Sequence, residues 1–317
     1  MSQNWDDQYF LKIPLSTTPK DYLIDLGEFS SLVNKNRIKP DDINSVDRAS
    51  NVIRDAIHDH AMPKDLEKEI LTAFDKLGAD FVAVRSSATA EDSSIASWAG
   101  ELETYLNTTR ENVLERVRRC WSSLFTPRAI FYRHEKNLID HYVSVAVVIQ
   151  TMVQSEISGI AFTVHPVTED YDQMIIEAGF GLGEAIVGGQ VTPDSYVVSK
   201  SEMSILDISV NTQTRKLVKQ RNQENNKTKK QGDLSLRGAK RRGNLPVDDD
   251  DFGSNEWVEL SETEGSKQKL TGKQIIEAAT IFTSIEKHYD FPCDIEWAFA
   301  GGKFYITQSR PITTLKK

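Results

Sequence analysis

The stretch from Phe81 to Asn107, FVAVRSSATAEDSSIASWAGELETYLN, constrains this chain most. Phe81 to Arg85 is a short β-suited run, apolar until the arginine, and a hydroxyl-rich run of small residues follows it directly. Small side chains let a backbone approach a ligand closely, and hydroxyls and bare N–H groups are donors suited to phosphate oxygens. Arg85 adds a planar cationic fork that fits phosphate in a bidentate way. From the residues alone two readings stay open: a phosphate-binding strand and loop, or a polar surface loop after an edge strand.

Charge and length narrow the rest. A net charge of −9 argues against broad nucleic-acid binding, so any polyanionic ligand must be held by local arginines rather than by the overall field. No apolar run approaches a membrane span, and the polar, acidic start MSQNWDDQYFLK carries no signal-peptide pattern; the expected location is cytoplasmic. Cys120 and Cys293 lack paired spacing and read as free thiols, and the six histidines do not cluster as metal ligands.

Helical periodicity places one helix over Ser45 to Ala61, with Ser45 as cap, and a second from Pro63 to Gly78. Arg110 to about Leu138 is helical, with a break at Pro127. Tyr142 to Gln150 and Gly159 to Thr163 read as strands, and Thr271 to Tyr289 as a helix. Arg221 to Asp251, rich in Asn, Gln, Lys and Arg and then in Asp, reads as a solvated insertion; it lacks aromatics to stack bases. The glycines of Gly179, Gly181 and Gly183 lack dinucleotide-fold spacing.

Val84 to Asp92 (VRSSATAED) and Ser97 to Asn107 resemble the signature of the ATP-binding domain shared by phosphoenolpyruvate synthase (pyruvate, water dikinase), pyruvate phosphate dikinase and rifamycin phosphotransferase. Trp98 stands where that family usually has Phe, and Glu101 where it has Gln. Further similar segments are Gln150 to Val153 (QTMV), residues 181 to 196 (GLGEAIVGGQVTPDSY), and Asp294 to Ala298 (DIEWA) followed by Gln308 to Pro311 (QSRP).

The resemblance implies an α+β ATP-grasp fold. Its N-terminal lobe would span 1–150 and its C-terminal lobe 151–317, with mainly antiparallel sheets and the nucleotide between them. It implies nucleotide contacts at Arg85, Gly100, Thr104, Gln150, Val153, Glu296, Gln308 and Arg310. Arg85 and Arg310 would act on the transferred phosphoryl group, and Asp294, Glu296 and Gln308 would hold Mg²⁺. Met152 and Val153 would cover the adenine, and the 181–196 segment would shape the cleft wall. ATP is the implied substrate, and the implied acceptor is a histidine on a separate domain. A third domain would pass the phosphate to pyruvate or to an antibiotic; neither later domain is expected within this chain. One departure stands out: the family's N-terminal Gly-Gly-Lys has no counterpart, since the first glycine is Gly27. That departure keeps a non-catalytic ATP-binding or regulatory module as the alternative to a phosphotransferase.

Strand parity sharpens one expectation. With Gly301-Gly302 as a two-residue loop in a regular hairpin, Glu296 would oppose Thr307, and Gln308 would face the other side. A shared site for Glu296 and Gln308 therefore requires an odd-length loop, Gly301 to Lys303, or a bulge. The three-residue loop also puts Ile306 on the site face and Tyr305 on the apolar one.

Overall fold

The computed structural model describes residues 42–88, 103–136, 145–220, 255–312 and 315, and the backbone of 10–13. Gly100 and the basic-acidic segment 221–251 lie outside these residues.

The first part builds one sheet covered by helices. Strand β1 is Phe10–Ile13. Helix α1, Ile43–Asp59, buries Val46, Ser50 and Ile57. Its cap is Asp42, whose carboxylate accepts from the Asn44 N–H, rather than the expected Ser45. The helix begins two residues early because the β-conformation needed at a cap occurs at Asp42. Helix α2, Lys64–Leu77, follows Pro63 and stops at Gly78, whose φ of 60° is left-handed. Next come β2, Val82–Ala88, and β3, Thr104–Thr108. Helix α3, Val113–Ser122, runs through a 3₁₀ turn, Ser123–Phe125, to α4, Pro127–Glu135. The break falls at Thr126, which caps α4 ahead of Pro127, as proline's missing N–H requires. Strand β4, Val145–Thr151, completes an antiparallel sheet ordered β1-β4-β2-β3. Val46, Leu66, Ile70, Phe74, Val82, Val84, Val117 and Ile149 share one buried cluster that joins the helices to this sheet.

The second part is a six-stranded antiparallel sheet with one long helix on a face. It contains β5, Ile157–Phe162, β6, Gln173–Phe180, the short α5, Glu184–Val187, β7, Asp194–Ser199, and β8, Ser204–Ser209. A two-stranded ladder of β9, Arg215–Lys219, and β10, Asn255–Glu259, follows. After α6, Glu262–Gly265, comes α7, Gly272–Tyr289, opened by a reciprocal Thr271–Gln274 capping box. Strands β11, Cys293–Ala300, and β12, Lys303–Pro311, close the sheet in the order β12-β11-β5-β6-β7-β8. Ile275, Ala279 and Phe282 of α7 pack with Ile176, Tyr196, Ile295, Trp297 and Phe299 in a second core. Period-2 alternation then leaves Asp294 and Glu296 on the opposite face of β11.

The architecture is therefore mixed α+β with antiparallel sheets. Among the described residues no helix is long and apolar enough to cross a membrane.

Candidate nucleotide site

The β11–β12 hairpin carries most of the predicted polar residues, and its register decides whether they meet. Its turn is the two-residue Gly301-Gly302, with Ala300 opposite Lys303, not the expected three-residue loop. Both glycines are left-handed, φ 57° and 77°, the geometry that matches strand twist in a tight hairpin. Parity is restored further along by a bulge: Trp297 opposes Ile306 and Glu296 opposes Gln308, so Thr307 is the extra residue. Asp294 opposes Arg310. Because the bulge lies beyond Ile306, that residue packs into the core, whereas Tyr305 is 37% exposed; the faces expected for these two are exchanged.

The bulge has a second effect. It presents the Thr307 carbonyl to the first sheet, where two donors reach it. Arg85 Nη1 on β2 and Gln150 Nε2 on β4 each donate to it at 3.2 Å. Arg85 Nη2 donates to Gln308 Oε1 at 2.5 Å and to Glu296 Oε2 at 3.2 Å. One guanidinium thus ties three acceptors on the hairpin to the strand that opens the hydroxyl-rich loop. Arg85 and Glu296 keep side-chain exposures of 22% and 17%, so the pair is not sealed from solvent. Arg310 Nε pairs with Asp294 Oδ2 at 2.9 Å, two residues along on the same face. Carboxylates and guanidiniums alternate there, so the local charge balances before any ligand adds its own.

The other predicted residues fall around this cluster. Thr104 on β3 lies directly opposite Arg85 in the ladder and is exposed. Val153 sits half-buried in the connection between β4 and β5. Beside it, the Met152 N–H donates to the Phe81 carbonyl, and the Met152 side chain packs against Leu182, Ala185 and Leu217. The structure therefore brings Arg85, Glu296 and Gln308 into direct contact and joins Gln150 to them through the shared Thr307 carbonyl, with Thr104 opposite Arg85 and the Asp294–Arg310 pair two residues along the hairpin.

Two features escaped sequence reasoning. The Thr307 carbonyl is a backbone group, and only the parity conflict in the hairpin pointed to it. Asp194, at the end of the 181–196 segment, is fully buried. It accepts from Lys269 Nζ and N, Tyr196 Oη and the Asn211 N–H. It fastens β7 to the segment before α7. Gly181 of the same segment is needed for local reasons: its φ is +93°, and a Cβ there would lie 2.4 Å from the Leu217 carbonyl oxygen.

With this geometry in view, similarity to known proteins becomes informative. Residues 29–317 match the family described as pyruvate phosphate dikinase, AMP/ATP-binding domain. The chain belongs to that family. It is 43% identical over 287 residues to a probable phosphoenolpyruvate synthase of Methanocaldococcus jannaschii, covering 87% of this chain and 22% of that protein. Against the phosphoenolpyruvate synthase of Pyrococcus furiosus it is 41% identical, covering 87% of this chain and 32% of the relative. A rifampicin phosphotransferase of Bacillus cereus is 37% identical, with 91% and 30% covered. This AMP/ATP-binding domain thus spans between 22% and 32% of the length of these three relatives. The Arg85–Glu296–Gln308 junction lies wholly within the matched residues.

Proposed function

We propose that this chain binds Mg·ATP at the junction of its two sheets and transfers a phosphoryl group to a histidine on a separate domain, as part of a phosphoenolpyruvate synthase-like phosphotransferase. On this reading the fold is an ATP-grasp, residues 1–150 and 151–317 form its two lobes, and the nucleotide lies between them. The observation that carries it is the convergence of Arg85 and Gln150 from one sheet on Glu296, Gln308 and the Thr307 carbonyl of the other.

Mg²⁺ fits the donor set. Glu296 and Gln308 offer two hard oxygens already directed at one cation, the Arg85 guanidinium, and Mg²⁺ takes one or two protein oxygens beside phosphate oxygens and water. When bound, the ion would screen phosphate charge. Asp294 would orient Arg310 through their ion pair. Arg85 would exchange its hairpin acceptors for phosphate oxygens, and together the two arginines would neutralise charge developing on the transferred group. Gln150 would continue to hold the hairpin against β4. Gly100 and Thr104 would line the phosphate side, and Met152 and Val153 the adenine side.

The final acceptor is pyruvate on this reading, because of the phosphoenolpyruvate synthases among the relatives; the rifampicin phosphotransferase relative favours an antibiotic as the second reading. Calorimetry with Mg·ATP tests the nucleotide site. Wild-type protein is expected to bind at sub-millimolar concentration, and absence of heat at millimolar nucleotide would overturn the proposal.

A further inference from the structure

The register of the second sheet places another acid on the site face. Reading straight across the ladders, Gln308 opposes Glu296, Glu296 opposes Ile160, Ile160 opposes Glu177, and Glu177 opposes Ser195. Directly opposed residues share a face, so Glu177 projects from the same side as Glu296 and away from the core on α7. Its neighbours Ile176 and Ala178 are in that core, with no exposure at all. Two strand spacings separate Glu177 from Glu296, about 10 Å. An extended nucleotide covers that span between its terminal phosphates and its sugar.

The carboxylate is half-buried and has no hydrogen-bond or ion-pair partner among the described residues. A partly desolvated acid without a donor is costly to keep unless something supplies one. An ionised carboxylate only accepts, with two oxygens side by side, and a vicinal diol presents two O–H donors at matching spacing. Gly179 and Ser158, in the next row on this face, are small, and Ile186 of α5 lies against Gly179. Glu177 therefore sits at the edge of the face that α5 covers, on the side toward Glu296.

We propose that Glu177 accepts hydrogen bonds from the ribose 2′- and 3′-hydroxyls of the bound nucleotide and so makes the site selective for ribonucleotides. This rests on the nucleotide reading above and adds a residue and a discrimination to it. Burial alone raises the Glu177 carboxyl above its ordinary range, and two hydroxyl donors offset that cost by favouring the charged form.

The test measures Kd by calorimetry for Mg·ATP, Mg·2′-deoxy-ATP and Mg·3′-deoxy-ATP on this chain, wild type, Glu177→Gln and Glu177→Ala, with circular dichroism confirming that each variant is folded. Wild type should prefer ATP by roughly tenfold or more, the size of a charged hydrogen bond. Both variants should shrink that preference severalfold, weakening ATP, which loses two hydroxyl contacts, more than either deoxy-nucleotide, which loses the one it keeps. Wild-type binding with equal Kd for all three would overturn the ribose role while the nucleotide site stands. A uniform loss across all three in both folded variants, with the preference intact, would do the same and give Glu177 a packing role. No binding of any nucleotide by wild type would remove the underlying reading instead.

Discussion

Two acid–base pairs in this molecule make the same bond in opposite settings. Lys269 and Asp194 are completely buried, 2.8 Å apart. Every hydrogen of the Lys269 ammonium has an acceptor: Asp194, the Asn211 carbonyl and the Gly265 carbonyl. Arg85 and Glu296, each on an inner strand of its sheet, are 3.2 Å apart where the two sheets meet and stay partly exposed. A buried pair is kept only if its polar capacity is filled, since desolvation exceeds the Coulomb gain otherwise. An exposed pair costs little to exchange for another partner. The first pair is a rivet, and the second is a partly exposed contact that costs little to exchange.

The largest expected effect breaks the rivet. Lys269→Met leaves Asp194 as an uncompensated buried charge, at a cost of about 3–5 kcal/mol. Thermal denaturation should show a fall of roughly ten degrees or more. A shift within two degrees or so would put the two pairs in one class. Arg85→Ala should do the reverse. Stability should change by under about 1 kcal/mol, while Mg·ATP affinity falls by about 1.5–3 kcal/mol, tenfold or more, in calorimetry.

Deleting Thr307 sharpens the contrast further. It regularises the ladder while keeping Glu296 opposite Gln308, and removes the carbonyl shared by Arg85 and Gln150. Weakening of Mg·ATP binding by about 1 kcal/mol, with the hairpin still folded, is expected; unchanged affinity would show that the bulge carbonyl does not position Arg85.

The smallest effect compares two carboxylates on adjacent strands. Asp194 on β7 is filled with donors, whereas Glu177 on β6 has none among the described residues. Burial raises the folded pKa of Glu177 above its unfolded value. The folded state then binds the proton more tightly, so the cost is absent below the unfolded pKa and grows as pH rises through the folded one. Glu177→Gln should therefore raise the melting temperature by a degree or two at neutral pH and by nothing near pH 4. Melting curves at the two pH values check it.

Much of this was legible before any coordinates. Helical periodicity located α1, α2 and α7, and Pro127 the interruption between α3 and α4. Arg85 could be read from its place between an apolar run and a hydroxyl-rich loop, whereas Gln150, Glu296 and Gln308 came from resemblance, since residues so far apart carry no local signal of contact. The cap of α1 was misplaced by three residues because Asp42 and Ser45 both suit a cap, and the backbone angle decides between them. The role of Asp194 carried no sequence signal, since its partner Lys269 lies 75 residues later.

The hairpin shows where the boundary falls. Alternation along Asp294–Ala300 and Lys303–Pro311 was enough to require an irregularity if Glu296 and Gln308 were to meet, because side-chain parity is a local property of the chain. Its location was not local. Gly301 and Gly302 both accept positive φ, so the tight turn forms there without strain, and the odd residue is displaced along β12 to Thr307. At that point its carbonyl finds Arg85 and Gln150 from the other sheet. A bulge disrupts the ladder locally, and contacts from outside the hairpin offset that cost, so only the tertiary structure could choose its site.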